Sequence, residues 1–120
     1  MKESAIAFLR LAASGHAPEA FDRYVGAGFK HHNPYFKGDA TSLCEAMQQN
    51  AAQHPAKLFE VQRSLQDGDL VAVHSRVRLD DESPVVAVVH VFRFADARIV
   101  ELWDVGQAVP DPSPNENGAF

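Results

Sequence analysis

The chain has a single cysteine, few basic residues and no long apolar run. Cys44 stands alone among 120 residues, which excludes an internal disulfide framework and a cysteine-based zinc site. Its 11 Lys and Arg are dispersed and are outnumbered by 16 Asp and Glu, which argues against a nucleic-acid surface. No stretch approaches the roughly 18 apolar residues that cross a bilayer, and no clear secretory core follows Met1. We therefore expect one cytoplasmic domain that binds neither nucleic acid nor membrane.

The first half of the sequence predicts three helices. Apolar residues recur with helical spacing at about residues 2–14, and Pro18 suits the first turn of a second helix. Asp39 is a suitable N-cap for a third helix at about residues 40–53. Between the second and third helices, residues 29–34 predict an extended or loop segment, since a proline ends it.

The second half predicts an antiparallel meander, because β-rich runs are separated by short polar turns. Helices followed by strands indicate an α+β domain. We expect this domain at residues 1–109, with an extended, proline-rich tail at residues 110–120. The four expected strands cover about residues 57–66, 69–79, 84–95 and 98–107.

Asp104 stands out because it lies within the apolar, β-rich run from Ile99 to Val105. An isolated buried charge costs several kcal/mol unless it finds a partner or takes up a proton. His90 is the single titratable group in the preceding run, Val85 to Phe92. Polar groups placed singly in hydrophobic strands are typical of a pocket with a few convergent polar groups. The pattern predicts a small-molecule enzyme with Asp104 and His90 as candidate catalytic residues.

The turn between the last two strands decides whether Asp104 and His90 share a face of the sheet. A three-residue loop at 95–97 pairs His90 with Leu102 and leaves Asp104 one diagonal step away on the same face. A two-residue loop shifts the register and sends Asp104 to the opposite face. The sequence leaves both registers open, and we favour the three-residue loop because it brings the two polar groups together.

The strand at 84–95 is apolar on both faces. One face can pack on the helices, but the sequence supplies no further helices to cover the other. A second copy of the chain is the simplest cover. We therefore expect a homodimer through the outer face of the sheet, with Trp103 at the interface.

Two segments resemble one known family. The stretch Val88–Phe94, followed by Ile99–Gln107, is similar to the end of SnoaL-like polyketide cyclases, which belong to the nuclear-transport-factor-two-like superfamily. The segment His31–Pro34, followed by Gly38 and a helix, resembles the pocket-lip segment of that family. The resemblance covers most of the chain. It implies a cone-shaped, cystatin-like α+β fold, in which a curved, mostly antiparallel sheet wraps the helices and leaves a pocket at the open end.

The resemblance also implies residue roles. In these cyclases an aspartate on the last strand is the general base, and a histidine on the preceding strand lies beside it; here these are Asp104 and His90. This chain is shorter and carries Ala97 where a turn glycine is often seen, which argues against large polycyclic substrates. The expected substrate-binding residues are His32, Asn33, His74 and Phe92.

His31 and His32 point to opposite sides if their segment is extended, so at most one of them enters the pocket. We take His32 as the group that orients a substrate oxygen, with loop hydrogen bonding as an equally plausible role for both. No H-x-H or H-x-x-x-H spacing indicates a metal site. We expect no cofactor and no metal.

These observations predict a cofactor-independent enzyme of the cyclase or isomerase type. A carboxylate can remove a proton from a carbon between two carbonyls without a metal, and His90 could donate to the developing enolate oxygen. The ligand would be a small hydrophobic or carbonyl-containing molecule. Two alternatives stay open: a non-catalytic module that holds a small hydrophobic ligand, with Asp104 as a structural acceptor, and an isomerase or hydrolase on the same scaffold.

Overall fold

Three helices pack against the inner face of a curved five-stranded sheet, and the computed structural model describes every residue from Met1 to Phe120. The sheet order is β1-β5-β4-β3-β2, and only the β1–β5 pair is parallel. The α+β architecture expected from the sequence is therefore confirmed. The elements are α1 (Lys2–Ala13), α2 (Ala17–Tyr24), β1 (Val25–His31), α3 (Ala40–Gln53), β2 (Leu58–Asp67), β3 (Leu70–Arg78), β4 (Val86–Ala95) and β5 (Arg98–Ala108).

The helices begin where the sequence predicts and bury one apolar stripe each. Asp39 caps α3, because its carboxylate accepts hydrogen bonds from the backbone N–H of Ser42 at 3.1 Å and from the Ser42 hydroxyl at 2.7 Å. Phe8 of α1 is fully buried and meets Phe92 of β4 edge to face, with 5.9 Å between ring centroids. This contact ties the helical layer to the centre of the sheet. None of the helices is both long and apolar enough to cross a membrane.

Strand β1 is not among the strands that the sequence predicts. Two glycines, Gly26 and Gly28, look like helix breakers in the sequence, yet they lie within β1. A Cβ atom added at Gly26 would come within 3.0 Å of the Arg98 Cβ atom. A side chain at position 26 would therefore crowd Arg98, and glycine allows β1 to approach β5 closely. The consequence for the site is that the chain after β1 starts beside the end of β5.

The hairpin between β4 and β5 differs from the loop that we favour. The loop has two residues, Asp96 and Ala97, both with positive φ (51° and 64°). A β-bulge follows, since Phe94 pairs with Ile99 and Arg93 with Glu101, which leaves Val100 as the extra residue. The short loop alone would move the β4–β5 register by one residue and turn Asp104 to the opposite face, and the extra residue in the bulge restores the face. The loop expectation is therefore wrong, whereas the expectation that His90 and Asp104 share a face holds, in a register that pairs them directly.

The C-terminal segment, residues 109–120, contains no helix or strand. Its last residue, Phe120, stacks on His74 of β3 with 5.7 Å between ring centroids. Since His74 alternates with the fully buried Val73 and Ser75, its side chain lies on the outer face of the sheet. The segment therefore folds back over the side of the sheet opposite to the helices.

Candidate active site

The inner face of the sheet and two of the helices enclose a cavity of about 240 Å³, which we call the main cavity. Seven of its ten lining residues are hydrophobic, and they come from α1, α3 and strands β2, β3 and β4. The polar lining groups are Lys57, His90 and Asp104. An apolar cavity with a few convergent polar groups is the usual form of a small-molecule site.

Asp104 is held by the loop that follows β1. The Nδ2 atom of Asn33 donates a hydrogen bond to Oδ2 of Asp104 at 3.0 Å. Asn33 is itself oriented, because its Oδ1 accepts a hydrogen bond from the backbone N–H of Tyr35 at 3.0 Å. A single amide donor, Asn33, therefore orients the carboxylate of Asp104, which lines the main cavity.

His31 builds this loop and does not enter the cavity. Its Nε2 donates to the carbonyl oxygen of Lys37 at 2.6 Å, and its Nδ1 accepts from the backbone N–H of Asn33 at 3.1 Å. One neutral tautomer satisfies both bonds. His31 is thus a buried structural residue that fixes the position of Asn33.

His90 faces Asp104 directly across the β4–β5 pair and lines the same cavity. Burial lowers the pKa of the His90 imidazole from 6.5 to about 4; the Asp104 carboxylate opposes this effect and the Lys57 ammonium adds to it. His90 is therefore neutral at neutral pH. Its Nδ1 is buried without a hydrogen-bond partner, and no hydrogen bond joins it to Asp104. The neutral ring can exchange a hydrogen bond with a ligand, but it does not act as a cationic partner of the carboxylate.

Lys57 is the site residue that the sequence reasoning missed. It lies one residue before β2, and its Nζ donates to Oδ1 of Asn50 on α3 at 2.6 Å. Burial lowers the pKa of its ammonium group. The sequence pattern could have indicated this position. Phe59 and Val61 alternate toward the inner face of β2, and the same alternation places residue 57 on that face.

A second, smaller cavity of about 180 Å³, which we call the side cavity, adjoins the main one. Met47, Lys57 and Asp104 line both cavities. Asn33 and the half-exposed Phe36 belong to the side cavity. The charged groups therefore lie where the two cavities meet.

His32, one of the expected substrate-binding residues, lines neither cavity. Its ring stacks on Trp103 with 5.1 Å between centroids and 6° between planes, and its Nε2 donates to the Glu101 carboxylate at 2.6 Å. Arg93 donates to the other Glu101 oxygen at 3.0 Å. Hydrogen bonds from His32 and then from Arg93 lower the pKa of the Glu101 carboxyl. Because residues 101 and 103 alternate with Asp104, this cluster joins β1, β4 and β5 on the outer face.

His74 and Phe92 also lie outside the cavity lining. His74 is on the outer face, beside Phe120, because its position in β3 has the opposite parity to Val73. Phe92 is on the inner face but is fully buried, between Phe8 and the His90 ring, which lies 6.3 Å away. Phe92 therefore packs against the His90 ring and does not line the cavity. Of the four expected substrate-binding residues, only Asn33 lines a cavity and contacts Asp104.

The arrangement supplies a carboxylate base, a neutral imidazole and an ammonium group around an apolar space. A carboxylate in such a setting can accept a proton from a carbon acid, and the neighbouring N–H groups can donate to an oxygen that becomes negative. No group of three histidine, cysteine or carboxylate side chains converges into a metal-binding arrangement.

Helices wrapped by a curved sheet around an inner cavity form the nuclear-transport-factor-two-like α+β fold, which the matching solved structures share. Solved structures with this fold share little sequence with the chain. An NTF2-like protein of unknown function from Cytophaga hutchinsonii matches with a TM-score of 0.69 at 12% identity, over 87% of each chain. The chain belongs to the SnoaL-like domain family, whose family model matches residues 5–102.

Two further structures are described as candidate polyketide cyclases. IdmH from Streptomyces antibioticus matches with a TM-score of 0.70 at 20% identity, over 89% of this chain and 92% of that one. A protein from Acidithiobacillus ferrooxidans matches with a TM-score of 0.71 at 19% identity, over 88% of this chain and 86% of that one. No curated protein sequence matches the chain. These likenesses establish the fold and the family resemblance stated above, and chemistry has to be argued from the site.

Proposed function

We propose that this protein is a cofactor-independent enzyme that moves a proton on a small carbonyl compound, with Asp104 as the base. The observation that supports it best is the carboxylate of Asp104, oriented by Asn33 at 3.0 Å and lining an otherwise apolar cavity. A carboxylate that only shaped the fold would not need to border two cavities. Similarity to the candidate polyketide cyclases agrees with this chemistry.

The proposed reaction begins when Asp104 accepts the proton from the carbon beside a carbonyl. The electrons of the C–H bond move to the carbonyl oxygen, which becomes an enolate. The enolate then either takes the proton back at a different carbon that shares its negative charge, which is an isomerisation, or attacks a second carbonyl of the same molecule through its α-carbon, which closes a ring. In the second case the proton on Asp104 passes to the new alkoxide. His90 is placed to donate a hydrogen bond from its neutral ring.

The size of the site favours small substrates. Ligand pockets usually enclose about 300–1,000 Å³, and the main cavity, at about 240 Å³, lies just below that range. A monocyclic ketone, a β-keto ester or an aryl ketone is of suitable size. The side cavity, which shares Lys57 and Asp104 with the main cavity, adds about 180 Å³ for a substituent.

The test is the Asp104→Asn variant, assayed by NMR for exchange of α-protons in deuterated buffer. The substrates are a panel of small aryl ketones and β-keto esters. Wild type should exchange at least one of them well above the buffer rate, and the variant should lose about a hundredfold or more of that enhancement while keeping its affinity. The control is Asp22→Asn, an exposed aspartate on α2, which should exchange like wild type. Equal rates in Asp104→Asn and wild type would refute the proposal.

The second candidate function is a non-catalytic module that binds a small hydrophobic ligand in the same cavity. Seven hydrophobic lining residues favour it. Under this alternative, Asp104→Asn changes neither ligand affinity nor any rate. The third option, an isomerase or hydrolase on this scaffold, shares the requirement for Asp104 and differs in the product.

We also propose that the protein works as a cytoplasmic homodimer through the outer face of the sheet. Val105 on β5 is 72% exposed, and it shares that face with Val89, Val91 and Trp103, which are half-buried. Exposed apolar groups in a contiguous sheet face favour association. The single cysteine of the chain agrees with a reducing compartment.

A further inference from the structure

The ammonium group of Lys57 has a location that the proposed proton transfer does not use. It is half-buried, it borders both cavities, and it shares that border with Asp104. Lysine side chains usually keep the charged end in water. A lysine that instead lines an apolar space needs a reason, either structural or functional.

A purely structural role is poorly supported by the contacts of Lys57. Its one hydrogen bond within the protein goes to the neutral amide oxygen of Asn50, so two of its three N–H donors have no protein partner. The ion pairs of the protein involve other side chains, and no carboxylate lies within ion-pair distance of Lys57. Its positive charge is therefore left without an anionic partner in the protein.

The charges around the cavities complete the argument. Lys57 is the only cation and Asp104 the only anion that line either cavity, while His90 is neutral. When Asp104 takes a proton from a ligand, a ligand oxygen becomes negative. The only positively charged side chain in the cavity lining that can stabilise this oxygen is Lys57. Charge-assisted hydrogen bonds of this kind are the strong ones.

We propose that Lys57 binds the oxygen of the ligand that carries negative charge, so that the site selects compounds present as an enolate or phenolate, or able to form one. This proposal rests on the proposed function and names the substrate class for it. During the reaction the C–H bond breaks, its proton goes to Asp104, and its electron pair moves to the carbonyl oxygen. Lys57 keeps all of its protons and donates a hydrogen bond to that oxygen. Asp104 and Lys57 thus act on the two ends of one C–C–O unit.

The test uses 4-nitrophenol, because its ionised form absorbs visible light and its neutral form does not. Wild type should bind the phenolate and lower the apparent pKa of the bound phenol. Lys57→Met should weaken phenolate binding by about tenfold or more and leave binding of the uncharged ether 4-nitroanisole within about twofold of wild type. Lys57→Arg, which keeps the charge, should restore most of the phenolate affinity. Lys2→Met, at an exposed position on α1, should bind both probes like wild type.

A further variant and a trapping experiment sharpen the outcome. Asp104→Asn should bind the phenolate more tightly than wild type, because it removes the only negative charge from the lining. Equal phenolate affinity in wild type and Lys57→Met, with both proteins folded by circular dichroism, would overturn the proposal. A covalent ketone adduct on Lys57 after borohydride reduction would also overturn it, since the amine would then act as a nucleophile.

The failure of this proposal can be told apart from failure of the proposed function. If Asp104→Asn abolishes proton exchange and Lys57→Met leaves both exchange and phenolate binding unchanged, the function stands and the role of Lys57 is refuted. If wild type exchanges no protons but its phenolate binding depends on Lys57, the anion site stands and the catalytic role of Asp104 fails.

Discussion

Asn33 and Asp104 are 71 residues apart in the sequence and are joined by a 3.0 Å hydrogen bond from Nδ2 to Oδ2. The bond connects the loop after β1 with the end of β5, and β1 runs parallel to β5. His31 fixes the loop, through the backbone of Asn33 and of Lys37. The orientation of the proposed base therefore depends on a strand and a loop that lie far from it in the chain.

The first prediction concerns this bond. Asn33→Ala should lower kcat for proton exchange by about tenfold to a hundredfold, because a hydrogen bond to a charged group contributes about 1.5–3 kcal/mol. KM should change little, since the amide orients the carboxylate rather than the ligand. The measurement is the NMR exchange assay with full saturation curves. Asn115→Ala, an exposed substitution in the C-terminal segment, serves as the control, and a change confined to KM would contradict the positioning role.

The second prediction is a loss of stability in mild acid. The pKa of His90 is lowered from 6.5 to about 4 in the folded protein, so between these pH values the unfolded chain binds more protons than the folded one. The contribution is fully present above about pH 6.5 and is lost as the pH falls toward 4, on the order of 3 kcal/mol in total. Urea unfolding at pH 7 and at pH 4.5 measures it.

The control for this effect is His90→Leu, which removes the titrating group from the interior. The stability difference between the two pH values should shrink markedly in this variant. His16→Gln, at an exposed position, should keep the full difference. Carboxyl groups whose pKa is lowered, such as Glu101, contribute equally in all three proteins and cancel in the comparison. An unchanged pH dependence in His90→Leu would show that other groups cause it.

The third prediction concerns the two-residue turn. Ala97 adopts φ = 64°, a conformation that costs a residue with a Cβ atom about 1 kcal/mol relative to glycine. Ala97→Gly should therefore raise the free energy of unfolding by up to about 1 kcal/mol. Ala95→Gly, two residues earlier and within β4, should lower it instead, because glycine weakens a strand. Thermal and urea unfolding of both variants decide the matter, and equal effects of the two changes would refute the turn assignment.

The fourth prediction tests the proposed dimer. Val105→Glu places a charge within the exposed apolar patch on the outer face and should convert the dimer to a monomer in size-exclusion chromatography with light scattering. Tyr35→Glu, at a position that is 85% exposed on the loop after β1, should leave the dimer intact. A wild-type protein that is already monomeric at micromolar concentration would count against the outer face as an interface.

The elements that follow from local patterns could be predicted from the sequence. Helical spacing and the Asp39 cap define α3, and β-rich runs between polar turns define β2 to β5. Strand β1 could not be found this way, because Gly26 allows a close approach to Arg98 that only the folded sheet reveals. Local propensity reads such a glycine as a break.

The candidate site was predictable in part. Asp104 and His90 stand out because their polarity conflicts with the strands that carry them. The outer-face positions of His32 and His74 could not be predicted, because the side of the sheet on which a histidine lies depends on register. Their stacking partners, Trp103 and Phe120, belong to distant segments. Lys57 was not predicted as a site residue, because it lies one residue before β2 and a lysine is common in a polar connection between elements.

The bulge at Val100 makes the direction of the Asp104 side chain sensitive to a single backbone position. Redesign of the β4–β5 hairpin into an ideally regular ribbon would keep every polar group of the site in the sequence and still turn the carboxylate of residue 104 outward. A sequence comparison that considers only the identities of the site residues would not distinguish such a redesigned protein from the original. Insertions and deletions within strands, rather than substitutions, are therefore the changes to inspect first when a relative with an intact set of polar groups shows no turnover.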